Sequence, residues 1–144
     1  MKIDKSKFFA HFGAGVFGGT ILGIAGFLVL MNYGGNSGCW AFIDSLFGTA
    51  GYESCGSFGA IAGILVGSII GIAILSRMKI VKYSKVAISL LLGSFILPFL
   101  YGVIIFWPPL GDSDLLLVPY VVLVFMLFSA IPSLVIVGAM KRLR

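Results

Sequence analysis

The two cysteines, Cys39 and Cys55, are the residues best suited to covalent chemistry. A disulfide between them would close a loop of moderate size, for which chain-entropy models give about 3 kcal/mol. The alternative is thiol redox catalysis of the kind that four-helix membrane oxidoreductases perform. Those enzymes generally need a reactive Cys-x-x-Cys pair and a second pair to relay electrons, and this sequence has neither. The spacing therefore predicts a structural disulfide.

Metal-ligating residues are sparse. His11 is the single histidine, and one imidazole without carboxylate or thiolate ligands around it does not make a metal site of the usual type. The carboxylates Asp44, Glu53, Asp112 and Asp114 fall in two polar stretches, where they could attract a cation or a basic partner. Such residues more often cap helices and solvate loops. We expect no metal site and no cofactor.

Hydroxyl side chains are scattered through the apolar segments at Ser68, Ser89, Ser94, Ser129 and Ser133. In membrane helices such groups commonly bond their own backbone or a neighbouring helix. The sequence contains no Ser/His/Asp constellation, so we expect no catalytic residue and assign no ligand-binding residue. The apolar segments also contain no Asp, Glu, Lys or Arg, which argues against a proton-coupled antiporter or a pump.

The composition determines the fold class. Of 144 residues, 60% are hydrophobic and only 10% are charged, whereas soluble domains average about 25% charged residues. Four apolar segments, at about 9–31, 58–76, 86–107 and 115–140, each approach or exceed the ~20 residues that cross a bilayer. We expect one all-α integral membrane domain over residues 1–144, a bundle of four transmembrane helices. The first segment is interpreted as a span, not as a cleavable signal peptide.

The charge pattern predicts orientation. The net charge is +5, and every Lys and Arg falls at the N-terminus, within residues 77–85 or at the C-terminus. Basic loops stay cytoplasmic in multi-pass proteins. Both termini are therefore expected to be cytoplasmic, in a plasma or bacterial inner membrane. The bilayer accounts for the basic charge, and nucleic acid is not expected as a partner.

The first outer loop, predicted at residues 32–57, holds both cysteines. Between them Trp40, Ile43 and Phe47 recur with helical spacing, and Phe42 and Leu46 lie beside them. This pattern predicts a short amphipathic helix on the outer membrane surface, pinned by the disulfide.

Two glycine stripes are the most specific feature, and residues four apart share one helix face. Gly15, Gly19 and Gly23 mark the first span, and Gly59, Gly63, Gly67 and Gly71 mark the second. Such small residues let helix backbones approach closely in lipid. Because the two stripes match in depth, we expect an antiparallel hairpin with Gly15 near Gly71, Gly19 near Gly67 and Gly23 near Gly63.

The first span has a second small face, formed by Ala14, Gly18, Ala25 and Gly26. This face could serve an oligomer, whereas the hairpin would use the glycine stripe. Close packing within one bundle is the preferred interpretation of both faces.

Two functional hypotheses follow. The first is a non-enzymatic membrane protein, a subunit or an assembly factor of a larger complex. The second is a small oligomeric channel or transporter, favoured by the second small face, the hydroxyls and the two prolines deep in spans, Pro98 and Pro132. An enzyme acting on lipid ranks third, because no catalytic residues are identified.

Overall fold

The protein is described here by a computed structural model that covers residues 5–80, 82–106 and 117–142. All regular structure in these ranges is helical. The helices are α1 (Lys5–Ser37), α2 (Ala41–Phe47), α3 (Tyr52–Arg77), α4 (Tyr83–Phe106) and α5 (Leu117–Arg142). All but α2 are long and apolar enough to cross a membrane. The four long apolar helices predicted from the sequence are thus confirmed.

The first loop is shorter than its polarity predicted. α1 continues through polar residues to Ser37, and α3 already begins at Tyr52. Side chains support these extra turns, since the Asn36 amide donates to Asn32 Oδ1 at 2.7 Å. Hydropathy marks where the apolar segments end, whereas the helices end where the backbone turns. Gly38 and Gly51, with φ of 74° and 67°, supply those turns in a conformation that other residues rarely adopt.

α1 is the central helix of the bundle. It packs most extensively against α3 and also contacts α4 and α5. α3 and α4 are consecutive in the chain but make almost no contact with each other in the described residues. α1 therefore separates them, and its small residues must accommodate neighbours on several sides.

One end of the bundle collects the basic helix ends. An apolar cluster of Ala10, Ala14, Leu75 and Ala87 joins the start of α1, the end of α3 and the start of α4. Lys7, Arg77 and Lys85 lie within three residues of this cluster along the chain. The predicted third loop, with Asp112 and Asp114, lies outside the described residues.

Candidate functional site

The glycines of α3 meet the backbone of α1. A Cβ added at Gly59, Gly63, Gly67 or Gly71 would overlap, respectively, the carbonyl oxygen of Gly26, Leu22, Gly18 or Ala14. Reciprocally, a Cβ at Gly18 or Gly26 would overlap the carbonyl of Gly67 or Gly59. The two helices therefore approach so closely along the contact that no side-chain atom fits between them.

The α1 face of this contact differs from the expected one. The expected pairs 15/71, 19/67 and 23/63 each add up to 86, whereas the observed pairs 14/71, 18/67, 22/63 and 26/59 add up to 85. A shift of one residue turns an α-helix by about 100°. α1 and α3 are direct neighbours, as expected, but the α3 glycines meet α1 carbonyls one residue earlier than the expected pairs. Gly23 and Gly15 border the contact, since a Cβ at Gly63 would lie 3.0 Å from Gly23 Cα and a Cβ at Gly71 would lie 3.6 Å from Gly15 N. Of the second small face, Ala14, Gly18 and Gly26 lie against α3, whereas Ala25 is exposed.

Gly15, Gly19 and Gly23 face side chains in the bundle interior. A Cβ at Gly15 would lie 2.8 Å from Ser133 Cβ. At Gly19 it would lie 2.9 Å from Ser129 Cβ, and at Gly23 it would lie 2.6 Å from Ile64 Cγ1. α1 thus uses small residues on two faces, one against the α3 backbone and one against side chains in the bundle interior. The distance of a glycine from the end of its apolar segment indicates how two helices align along their length. It does not indicate which of the two small faces meets which neighbour.

A cluster of four hydroxyls occupies the interior where α1, α3 and α5 meet. Thr20, Ser68, Ser129 and Ser133 are each fully buried. Thr20 Oγ1 donates to Ser129 Oγ at 3.5 Å, and Ser133 Oγ lies 3.4 Å from Ser68 Oγ, from which it can accept. The absence of a side chain at Gly15 and Gly19 leaves space for the serines, because a Cβ at either glycine would overlap a serine side chain. We call this group the hydroxyl cluster.

The sequence did not predict the hydroxyl cluster. In the sequence the serines are scattered through the apolar segments, and Thr20 lies among glycines and apolar residues. The signal was adjacency, since Thr20 follows Gly19 and Ser68 follows Gly67, while Ser129 and Ser133 are one turn apart. Ser94 stays separate, because it donates to the Leu91 carbonyl of its own helix at 2.7 Å, and Ser89 is exposed.

The hydroxyl cluster is internally satisfied. Ser129 and Ser133 donate to the carbonyls of Phe125 and Ser129, both at 2.7 Å. In the described residues, no buried side-chain nitrogen or oxygen lacks a hydrogen-bond partner. The hydroxyls bond neighbouring helices and their own backbone, as such groups commonly do in membrane helices.

The opposite end of the bundle is fastened covalently. Cys39 and Cys55 form a disulfide, as predicted. α2 lies between them, with Ile43 buried and with Phe42 and Leu46 71% and 63% exposed. A hydrogen bond from Ser54 Oγ to Asp44 Oδ1 joins α2 to the first turn of α3. The short helix is thus held to the bundle by the bridge, one apolar side chain and one carboxylate.

The remaining candidate residues have local roles. His11 Nδ1 lies 2.8 Å from the Lys7 carbonyl one turn earlier. Within the part of the chain that the structure describes, no three His, Cys, Asp or Glu side chains come together as metal ligands.

No protein family, curated protein or solved structure shows a significant match to this chain.

Proposed function

We propose that the chain is a small multi-pass membrane protein without catalytic activity of its own, acting as a subunit or assembly factor of a larger membrane complex. The observation that carries the proposal is the closed interior around α1. Glycines there admit neighbouring backbones and serines, and the buried hydroxyls are engaged with one another or with carbonyls. A filled interior leaves the outer surface as the functional part of the molecule.

The proposal places both termini in the cytoplasm. The basic ends of α1, α3 and α4 gather at one end of the bundle, and positive charge is retained on the cytoplasmic side. The disulfide lies at the other end, which suits an oxidising compartment outside a plasma or inner membrane. On this view α2 rests at the outer interface, and Phe42 and Leu46 contact headgroups or a partner.

In this proposal the glycine contacts act as a glycine zipper that makes α1 and α3 a rigid support. α4 and α5 then present the larger lipid-facing surface. Ile104 of α4 and Leu127 and Val135 of α5 are 73%, 70% and 67% exposed, respectively. A stiff support with broad apolar faces fits a protein that docks laterally against other membrane helices.

The alternative, an oligomeric channel, has less support. One of its three supports was a free small face of α1, and Gly18 and Gly26 of that face are occupied by α3. A pore between copies could use the exposed faces of α3, α4 and α5. Among the described side chains of these helices, the fully buried serines, Ser54, Ser68, Ser94, Ser129 and Ser133, face inward.

Photocrosslinking in the native membrane tests the proposal. A photoreactive residue placed at Ile104, Leu127 or Val135 should capture one defined protein from a single face of the bundle. The same residue at Ile72, which is 2% exposed, serves as the matched buried control. Deleting the chain should lower the abundance of the captured protein's complex. A purified symmetric homo-oligomer that conducts ions in planar bilayers, with no protein adduct, would overturn the proposal in favour of the channel.

A further inference from the structure

One face of α4 combines cations at its beginning with an apolar strip beyond them. Lys82 directly precedes the helix, and Lys85 lies in its first turn. At helical spacing after Lys85 come Ile88, Leu92 and Ile96, which are 60%, 56% and 46% exposed. Residues three and four apart share a helix face. The exposed strip therefore runs from the charged end of α4 into its apolar part.

A cation of α1 also reaches the start of α4, but on another face. Lys7 Nζ lies 5.5 Å from the centre of the Tyr83 ring, and Tyr83 is the first residue of α4. Residues two apart in a helix point to nearly opposite sides. Tyr83 accordingly packs against the apolar cluster that joins α1, α3 and α4. Lys7 therefore belongs to the packed side of α4, and the cations of the exposed strip are Lys82 and Lys85.

No described carboxylate lies near these two lysines. In the described ranges, Asp44 and Glu53 are the acidic residues, and both lie at the disulfide end of the bundle. Lys82 and Lys85 are exposed, and neither forms an ion pair with a described residue. Within the described part of the chain, the start of the apolar strip therefore carries two cations without a carboxylate partner.

We propose that the start of α4 binds an anionic phospholipid. Lys82 and Lys85 hold the phosphate and a negatively charged headgroup, and one acyl chain lies along Ile88, Leu92 and Ile96. Long cationic side chains reach headgroup level while their stems stay on apolar surface. The inference rests on the membrane placement in the proposed function, and it adds a lipid class as a partner.

If the lysines served only to set the orientation of the chain in the membrane, they would not need to line up with the apolar strip of α4. Cations that set orientation need only lie near the ends of spans. Lys79, in the turn between α3 and α4, carries the same charge outside either helix. If the alignment matters, Lys85 and Lys79 differ in their effect on lipid binding, although each contributes one charge.

Native mass spectrometry of the full chain in mild detergent, titrated with dioleoyl phosphatidylglycerol and with dioleoyl phosphatidylcholine, tests the site. The chain should retain phosphatidylglycerol at concentrations at which phosphatidylcholine dissociates. Lys85→Gln should weaken phosphatidylglycerol binding about fivefold, the amount that one cation contributes near an anionic surface. The double variant Lys82→Gln/Lys85→Gln should lose the preference, whereas Lys79→Gln should retain it. Circular dichroism checks that each variant is folded.

Equal retention of both lipids by the wild-type chain, or equal losses in Lys85→Gln and Lys79→Gln, would overturn the lipid site. Either result would be compatible with the proposed role in a complex, because lipid retention is measured on the isolated chain. Displacement of the lipid by millimolar inorganic phosphate would also count against the lipid site, because the lysines would then bind phosphate without a contribution from the acyl chain. Failure of the chain to insert into bilayers would contradict the membrane placement and this inference together.

Discussion

Gly18 of α1 and Gly67 of α3 face each other, and a Cβ added to either would overlap the carbonyl oxygen of the other. The relationship repeats between Gly26 and Gly59, two turns away. Because both obstacles are backbone atoms, they cannot move aside as the end of a flexible side chain can. The helices would have to separate to admit a methyl group, and contacts along the whole pair would loosen.

Gly67→Ala is therefore expected to destabilise the bundle by about 1–3 kcal/mol, the usual range for overpacking. The measurement is unfolding of the purified protein in detergent micelles, by heat or by added dodecyl sulfate. Gly138→Ala is the control, since a Cβ there meets nothing within 4 Å. Alanine is the better helix former by about 0.5–1 kcal/mol, so the control should be neutral or stabilising. Equal effects of the two substitutions would contradict the close contact.

Gly34→Ala and Gly35→Ala form a matched pair at the disulfide end of α1. A Cβ at Gly34 would lie 2.6 Å from the Gly51 carbonyl oxygen and 2.8 Å from Cys55 Cβ, whereas at Gly35 it would meet only Tyr52 Cβ at 3.8 Å. Gly34→Ala should lower the melting temperature and the fraction of oxidised protein on non-reducing gels. Gly35→Ala should preserve both. If Gly34→Ala matches wild type, α1 and α3 are not packed as described at the disulfide end of the bundle.

Loss of the disulfide should cost stability and spare the bundle. The bridge links residues 16 positions apart, and chain-entropy models assign about 3 kcal/mol to a loop of that size. Cys39→Ser and Cys55→Ser should each lower the melting temperature, and the double variant should add little, because either substitution already removes the bond. Helix content by circular dichroism should stay near wild type. A double variant whose loss is the sum of two large single losses would show that the cysteines act independently.

The hydropathy pattern predicted the four long helices because lipid imposes one requirement on every span, a run of about 20 apolar residues. The disulfide was predictable because the sequence offers one pair of cysteines. The ends of α1 and α3 were not predictable from hydropathy. Beyond its apolar part, α1 continues through Asn32 and Asn36 until Gly38 turns the chain. Apolarity carries no information about such polar turns.

The interior of the bundle was less accessible to sequence reasoning. α1 has small residues on two adjacent faces, and a periodicity of four identifies both without saying which neighbour each one meets. The meeting of Thr20 with Ser129 depends on the rotation of two helices that are distant in sequence. That rotation follows from the simultaneous packing of α3 and α5 on α1, a property of the whole bundle.

Ser129→Ala should have a small effect on stability, because interhelical hydrogen bonds in membrane proteins average about 0.6 kcal/mol. Ser129 accepts from Thr20 and donates to the Phe125 carbonyl, so the substitution removes one interhelical bond and leaves Thr20 to find a new partner. Unfolding in detergent should detect the loss. Ser89→Ala, on an exposed position of α4, should be silent. A loss of several kcal/mol from Ser129→Ala would mean that the hydroxyl cluster contributes more than interhelical bonding of ordinary strength.

Single cysteines placed at the two ends of the bundle report its orientation. Ser45 of α2 and Lys79 of the turn after α3 are both exposed, and the native cysteines are bonded to each other and do not react with maleimides. In intact cells, a membrane-impermeant maleimide should label Ser45→Cys and should leave Lys79→Cys unlabelled, because the proposed orientation puts the basic turn in the cytoplasm. After permeabilisation both should react, which shows that Lys79→Cys is accessible in itself. Labelling of Lys79→Cys in intact cells would show that the orientation is the opposite of the proposed one. The disulfide would then lie on the cytoplasmic side, where reducing conditions disfavour it.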